Sequence, residues 1–300
     1  MINEVQSVGV IGLGSMGMGA AKSCIKAGLD VFGADLNPAL LDELTQSGAK
    51  AVAPNALEFA EQLDSLLILV VNAKQVNDVL FGSGLAAALN PGTVIMVSAT
   101  ISAEDARNIE EKLKPYQLLM LDAPVSGGAA KAASGEMTVM ASGSRQAFDK
   151  LRPVLDATSV KVYNIGEEIG MGSTVKIIHQ LLAGVHIAAG AEAMALAARA
   201  GIPLDLMYDV VTHAAGNSWM FENRMKHVVD GDYSPTSMVD IFVKDLGLVA
   251  DTASKLDFPL PLSHTALEMF AKASNAGYGQ EDDSAVIKIF EGINLPGMEK

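Results

Sequence analysis

The chain has 300 residues, half of them hydrophobic and 19% charged, enough apolar content for a large core and enough length for two domains. Its formal net charge of −14 argues against nucleic acid and anionic membranes as partners, and an anionic substrate would then need a locally basic pocket. The single cysteine, Cys24, can form no internal disulfide, which fits a reducing, cytoplasmic compartment.

Met1–Gln6 is polar and runs into the first strand, unlike a signal peptide. From Val8 to Gly17 the chain reads as a strand, a glycine turn and a helix start. Gly12, Gly14 and Gly17 form a GxGxxG, the pattern that lets a pyrophosphate approach the backbone at a helix N-terminus. A second strand, Asp30–Ala34, ends in Asp35, about 20 residues on, where the dinucleotide fingerprint places an acidic residue. A carboxylate there accepts hydrogen bonds from ribose hydroxyls and repels a 2′-phosphate. The residues that follow, Leu36, Asn37 and Pro38, offer no arginine for a phosphate, so NAD is favoured over NADP. The alternative role for Asp35 is to cap the next helix.

A helix is expected over 39–47, a short strand over 49–53 and a short helix over 55–62. The continuous apolar run Ser65–Val71 suits a strand covered on both faces and ends at Asn72. Thr93–Val97 is a further strand, closed by Ser98, Ala99 and Thr100, and Ser102 caps the helix after it. This alternation predicts a doubly wound parallel sheet. Strands are also expected over 118–121, 137–141 and 160–165. From Gly166 onward helices dominate, the first running from about 172 to 200, with others over 204–214, 238–255, 263–275 and 284–290. The domains are therefore placed at 1–165, α/β and dinucleotide-binding, and 166–300, all-helical. Leu181–Ala198 is apolar but contains His186 and Glu192, which suits a buried helix better than a membrane span. The apolar, alanine-rich helices also predict a face buried against another subunit, in a homodimer or homotetramer.

Three stretches carry chemistry. Asp122–Gly128 leaves a strand on the ligand-binding edge of the sheet, where Ser126 offers a hydroxyl and Gly127 and Gly128 can turn N–H groups toward a carboxylate; a plain structural turn is the other reading. Lys176, His179 and Gln180 share a face of the long helix, after Gly170 and Gly172, and need a polar counterpart in so apolar a segment; a solvated first turn, with Lys176 exposed and His179 on a backbone carbonyl, is the other reading. Lys244–Asp245–Leu246 reads by itself as an ordinary surface pair. Trp219 and its neighbours Asn217, Ser218 and Phe221 read as core packing, with the wall of a pocket as the other reading. The remaining histidines show no ligand spacing, and no catalytic metal is expected.

Together, Gly12-Leu-Gly-Ser-Met-Gly17, Asp122-Ala-Pro-Val-Ser-Gly-Gly128, Gly170-x-Gly172-x-x-x-Lys176 and Lys244-Asp-Leu246 resemble the β-hydroxyacid dehydrogenase family over nearly the whole chain. The resemblance implies a Rossmann domain followed by an all-helical domain, with the active site between them. It implies NAD held by Gly12, Leu13, Gly14, Ser15, Met16, Gly17, Asp35, Leu36, Val71, Asn72 and Thr100, with Lys244 over the nicotinamide end. Lys176 would be the catalytic lysine, and Ser126, Gly127 and Gly128 would hold the carboxylate of a small hydroxy acid. Where the family has asparagine four residues after the lysine, this chain has Gln180, preceded by His179. That pair is similar to the branch acting on four-carbon sugar acids such as L-threonate, and both residues would bind the substrate. An ordinary lysine titrates at about 10.4, so Lys176 would need desolvation to act as a base or would act as an ammonium; His179 is the alternative base. Other readings are the oxidation of 3-hydroxyisobutyrate, the reduction of a semialdehyde, and a non-catalytic NAD sensor. Asp35 opposes an NADPH-dependent reductase. Lys176 beside an intact Ser-Gly-Gly turn opposes a sensor.

Overall fold

Short runs rich in valine, leucine and isoleucine line up as parallel strands in the computed structural model, which describes residues 6–298. The lead-in from Met1 to Val5 lies outside the described residues. The chain divides into two compact units, up to Lys176 and from Ile177. The sequence reading set the boundary at 166.

In the first unit, β1 (Ser7–Ile11), β2 (Asp30–Ala34), β3 (Ala51–Ala53), β4 (Ser65–Ile68), β5 (Val94–Val97) and β6 (Leu119–Asp122) run parallel in the order β3-β2-β1-β4-β5-β6. Beyond β6, the two-residue β7 (Val125–Ser126) and β8 (Met137–Gly143) pair antiparallel, and β9 (Ser159–Gly166) lies parallel to β8. The run expected to be a strand to Val71 closes at Ile68. The sheet is covered by apolar side chains on both faces, which is why its strands read as continuous hydrophobic runs rather than alternating ones. The helices of this unit are α1 (Ser15–Lys26), α2 (Pro38–Gln46), α3 (Ala73–Asn77), α4 (Leu85–Ala88), α5 (Ala103–Leu113), α6 (Gly128–Ser134) and α7 (Arg145–Thr158). The sequence reading passed over α7, whose apolar face of Ala147, Leu151, Val154 and Leu155 is interrupted by Pro153. Cys24 is buried in α1, and burial pushes its thiol up to about 12, so it is inert.

The second unit is helical. α8 (Met171–Arg199) begins in the first unit and is followed by α9 (Leu204–Thr212), α10 (Trp219–Asp230), α11 (Val239–Lys255) and α12 (Pro261–Ala273). The core of this unit stacks Phe242 on Phe270 and sets Gly184 directly against Leu246. α8 is long and apolar enough by composition to cross a membrane, and half of its most apolar window is buried. α10 was not anticipated, and it corrects the reading of Trp219: that ring is 54% exposed at the start of the helix, and Phe221 fills the core instead.

A charged cluster ties α10 to the C-terminal segment. Arg224 Nε lies 2.7 Å from Asp283 Oδ1, and His227 Nδ1 lies 3.0 Å from Asp282 Oδ1. The hydrogen bond with Asp282 raises the His227 imidazole above its ordinary 6.5. Burial pushes the Asp283 carboxyl up to about 7 against the pull of Arg224. Burial also disfavours ionised Asp282, but hydrogen bonds from His227, Ser284 and Thr236 outweigh it and hold that carboxyl well below its ordinary 3.8. The His227 and Asp283 contributions are complete at low pH and are lost as pH rises through their folded-state values. The Asp282 contribution is lost as pH falls below 3.8. The three contributions are complete together only near pH 4; above it the Asp283 contribution falls steadily toward pH 7, and the His227 contribution is lost above about 6.5. His227→Gln should cost on the order of 1 kcal/mol more at about pH 5.5 than at about pH 9, as read from urea unfolding at the two pH values.

Candidate active site

The register of the parallel strands brings their C-terminal ends level: Ile11 faces Ala34 on one side and Ile68 on the other, Ile68 faces Val97, and Val97 faces Asp122. The residues singled out from sequence in this unit follow these ends, the ligand-binding edge of an open α/β sheet. At the first end, Gly12 has φ +85, and a Cβ there would lie 2.6 Å from Leu69 O, so glycine is required by conformation and by space. A Cβ on Gly17 would lie 1.7 Å from Gly12 O, which is how α1 starts so close to its strand. Gly14 is exposed with nothing near its Cβ position, and no side chain caps α1, leaving its first-turn N–H groups for an anion.

Asp35 is tied to the same loop. Its Oδ2 accepts from Leu13 N at 2.7 Å and its Oδ1 from Asn37 N at 2.8 Å. A carboxylate has about four acceptor sites, so each oxygen keeps capacity for a ribose hydroxyl. After Asp35 the next basic residue is Lys50, which pairs with Asp30 at 3.2 Å. The local residues thus fit an unphosphorylated adenosine ribose. Leu36 is 88% exposed beside this carboxylate. Val71 N donates to Gln75 Oε1 at 2.7 Å, the Asn72 side chain accepts from Gln75 N as the cap of α3, and Thr100 follows β5 half-buried.

At the end of β6, Asp122 is fully buried and takes hydrogen bonds from Ser173 Oγ (2.6 Å), Ser173 N (2.8 Å), Gly170 N (3.0 Å) and Ser142 Oγ (3.4 Å). Burial holds this carboxyl above its ordinary 3.8, and those four donors offset that only in part. Asp122 thereby satisfies the open N–H groups at the start of α8 and complements its dipole. A Cβ on Gly172 would lie 2.5 Å from Asp122 O and 2.6 Å from Met140 O, so the helix backbone rests directly on β6 and β8. Lys176 follows one turn later and is only 7% exposed. Ser126 pairs with Thr138, and Gly127 and Gly128 take φ of +132 and +72, conformations that favour glycine.

In the second unit a polar chain joins α8 to α11. His179 Nδ1 is 3.0 Å from Gln180 Oε1, Gln180 Nε2 donates to Asp245 Oδ2 at 2.6 Å, and Lys244 Nζ is 2.8 Å from Asp245 Oδ1. Gln180 and Asp245 are buried, and His179 is exposed. This corrects the reading of Lys244–Asp245 as a surface pair. Asp245 falls three residues after Phe242 and four before Val249, on the buried stripe of α11, and that spacing was the available signal. Asp122, Ser142 and Ser173 were also missed as a unit. Among the described residues no group of His, Cys, Asp and Glu could hold a metal.

Residues 7–166 match the family described as the NAD binding domain of 6-phosphogluconate dehydrogenase, and residues 170–290 match the one described as NAD-binding of NADP-dependent 3-hydroxyisobutyrate dehydrogenase. The chain is 71% identical over 297 residues to an L-threonate dehydrogenase of Haemophilus influenzae, covering 99% of each chain. It is also 71% identical over 291 residues to that of Escherichia coli K12, covering 97% of this chain and 96% of the relative. A crystal structure described as 3-hydroxyisobutyrate dehydrogenase from Salmonella typhimurium superposes with a TM-score of 0.93 at 68% identity, covering 95% of this chain and 100% of that one.

Asp122→Ala leaves the donors of Ser173 and Gly170 buried without their acceptor and should lower stability by about 3 kcal/mol in urea unfolding. Asp122→Asn keeps one acceptor oxygen and should lose less.

Proposed function

The chain belongs to the β-hydroxyacid dehydrogenase family and uses NAD, and from that premise we propose that it oxidises the C2 hydroxyl of L-threonate to 2-dehydro-L-erythronate. The observation that carries the substrate assignment is the His179–Gln180 pair, a polar element in an otherwise apolar helix, anchored from behind by Asp245. A four-carbon acid with three hydroxyls has polar groups to match it, whereas 3-hydroxyisobutyrate has one hydroxyl and a methyl group. The curated relatives named for L-threonate cover nearly the full chain and support the same assignment. Oxidation of 3-hydroxyisobutyrate is the second reading, favoured by the description of the Salmonella typhimurium structure.

Bound NAD supplies the hydride acceptor. Gly12, Leu13, Gly14, Ser15, Met16 and Gly17 would hold its pyrophosphate, Asp35 its adenosine ribose and Leu36 one face of the adenine. Val71, Asn72, Thr100 and Lys244 would complete its site. Ser126, Gly127 and Gly128 would hold the substrate carboxylate, the backbone N–H groups and the Ser126 hydroxyl acting as donors. Lys176 would hold the C2 oxygen as it loses its proton and passes through alkoxide character to a carbonyl, with His179 toward the substrate hydroxyls. As C2 goes from alcohol to ketone, two electrons and a proton leave as hydride and the hydroxyl proton passes to a protein base.

We place the enzyme in the cytoplasm as a homodimer or homotetramer. Ile178, Leu182 and Leu196 lie exposed along α8, and Leu206 and Val210 along α9, an apolar surface that a second copy of the chain would cover.

NADH formation with L-threonate, D-erythronate, D-glycerate and 3-hydroxyisobutyrate tests the assignment. L-threonate with NAD should be the fastest combination, and NADP should support little turnover. Greatest activity on 3-hydroxyisobutyrate would replace the assignment with the second reading. Lys176→Ala should lower kcat by about 10²-fold or more while NADH binding, followed by its fluorescence, is retained.

A further inference from the structure

A carboxylate accepts hydrogen bonds and donates none, so the 2.6 Å contact between Asp245 Oδ2 and Gln180 fixes which end of the Gln180 amide faces it: the NH₂ group. The amide oxygen is then the atom turned to the His179 ring, 3.0 Å from Nδ1. An oxygen at that position requires Nδ1 to carry the proton, and in the neutral ring Nε2 is then the basic nitrogen. Lys244 Nζ lies 2.8 Å from Asp245 Oδ1, so both carboxylate oxygens of Asp245 face donor groups. The three hydrogen-bonding groups behind the ring therefore have one consistent arrangement, read from Asp245 outward.

We propose that Asp245 acts through Gln180 to hold His179 as its Nδ1–H tautomer, so that Nε2 accepts a hydrogen bond from a hydroxyl of the substrate other than the one oxidised. Asp245 and Gln180 are on this view positioning residues, and His179 reads the polyhydroxylated chain. Both ends of the Gln180 amide are used within the protein, which assigns it to orienting His179 rather than to touching substrate. The inference rests on the sugar-acid reading for its substrate, but the tautomer itself does not depend on that reading. It also explains why a histidine is useful here: the wrong tautomer would present N–H where an acceptor is needed, and the unassisted ring in water favours that form.

The test is ¹⁵N NMR of the histidine ring nitrogens in the full-length enzyme, with His179 assigned by its loss in His179→Gln. The wild-type ring should show a protonated Nδ1 and an unprotonated Nε2 when neutral. Gln180→Met removes both amide contacts at similar volume and should shift the ring toward the Nε2–H form. Asp245→Asn, which no longer dictates the amide orientation, should give a mixture. With L-threonate, Gln180→Met should raise KM by roughly tenfold, the loss of one hydrogen bond to substrate, and should change KM for 3-hydroxyisobutyrate far less. A wild-type ring protonated on Nε2, or a tautomer unmoved in both variants, overturns the proposal whether or not the variants are active. A tautomer that shifts while KM for L-threonate stays at the wild-type value overturns the hydroxyl-reading role. If the wild-type enzyme fails to turn over L-threonate but shows the expected tautomer and its response, the relay stands and the substrate reading falls.

Discussion

The carboxylate of Asp122 under the first turn of α8 is the contact on which the chemistry of the first unit depends. A helix start offers N–H groups that nothing within the helix can satisfy, and a buried carboxylate is costly unless donors surround it. Each solves the problem of the other: Gly170 N, Ser173 N and Ser173 Oγ converge on Asp122, and Gly172 removes the side chain that would hold helix and sheet apart. The position of Lys176, one turn on, is then fixed relative to the end of β6 and to the Ser126–Gly128 turn that follows it. The pattern Gly-x-Gly-x-x-x-Lys is thus largely a docking device that sets its last residue beside the sheet.

The second unit uses buried charge in two ways. At Arg224, His227, Asp282 and Asp283 oppositely charged partners meet directly and fasten a helix to the C-terminal segment. Between α8 and α11 the ion pair is one link in a chain that ends on an exposed imidazole. The first arrangement sets its groups against one another and goes no further. The second transmits a constraint, because an acceptor-only carboxylate at one end limits how every group after it can turn.

Much of this was legible in the residues. The glycine loop, Asp35 and the alternation of strand and helix depend on local spacing, and local spacing is what a sequence displays. Long-range pairing was harder to read. Asp122 looked like part of a turn because its donors lie far along the chain, Ser142 20 residues on and Gly170 and Ser173 48 and 51 residues on, and nothing near it in sequence reveals them. Asp245 was taken with its neighbour Lys244, although its phase with Phe242 and Val249 put it on the inner face of α11. α7 was hidden by Pro153, which a packed helix with buried neighbours on either side tolerates. Trp219 reads as core only while the helix that carries it goes unseen; the start of α10 turns it outward and brings Phe221 in.

The two backbone contacts of Asp35 bear on how this protein could change. In many dinucleotide folds an acidic residue at this position can be thought of as a reader of the ribose and nothing more. Here the same two oxygens staple the Leu13 and Asn37 amides, joining the glycine loop to the turn that opens α2. Replacing Asp35 would therefore also loosen the glycine loop itself. A lineage that gave up this charge would have to rebuild the staple as it did so, so the residue at position 35 is held in place by the architecture of the loop as well as by its charge.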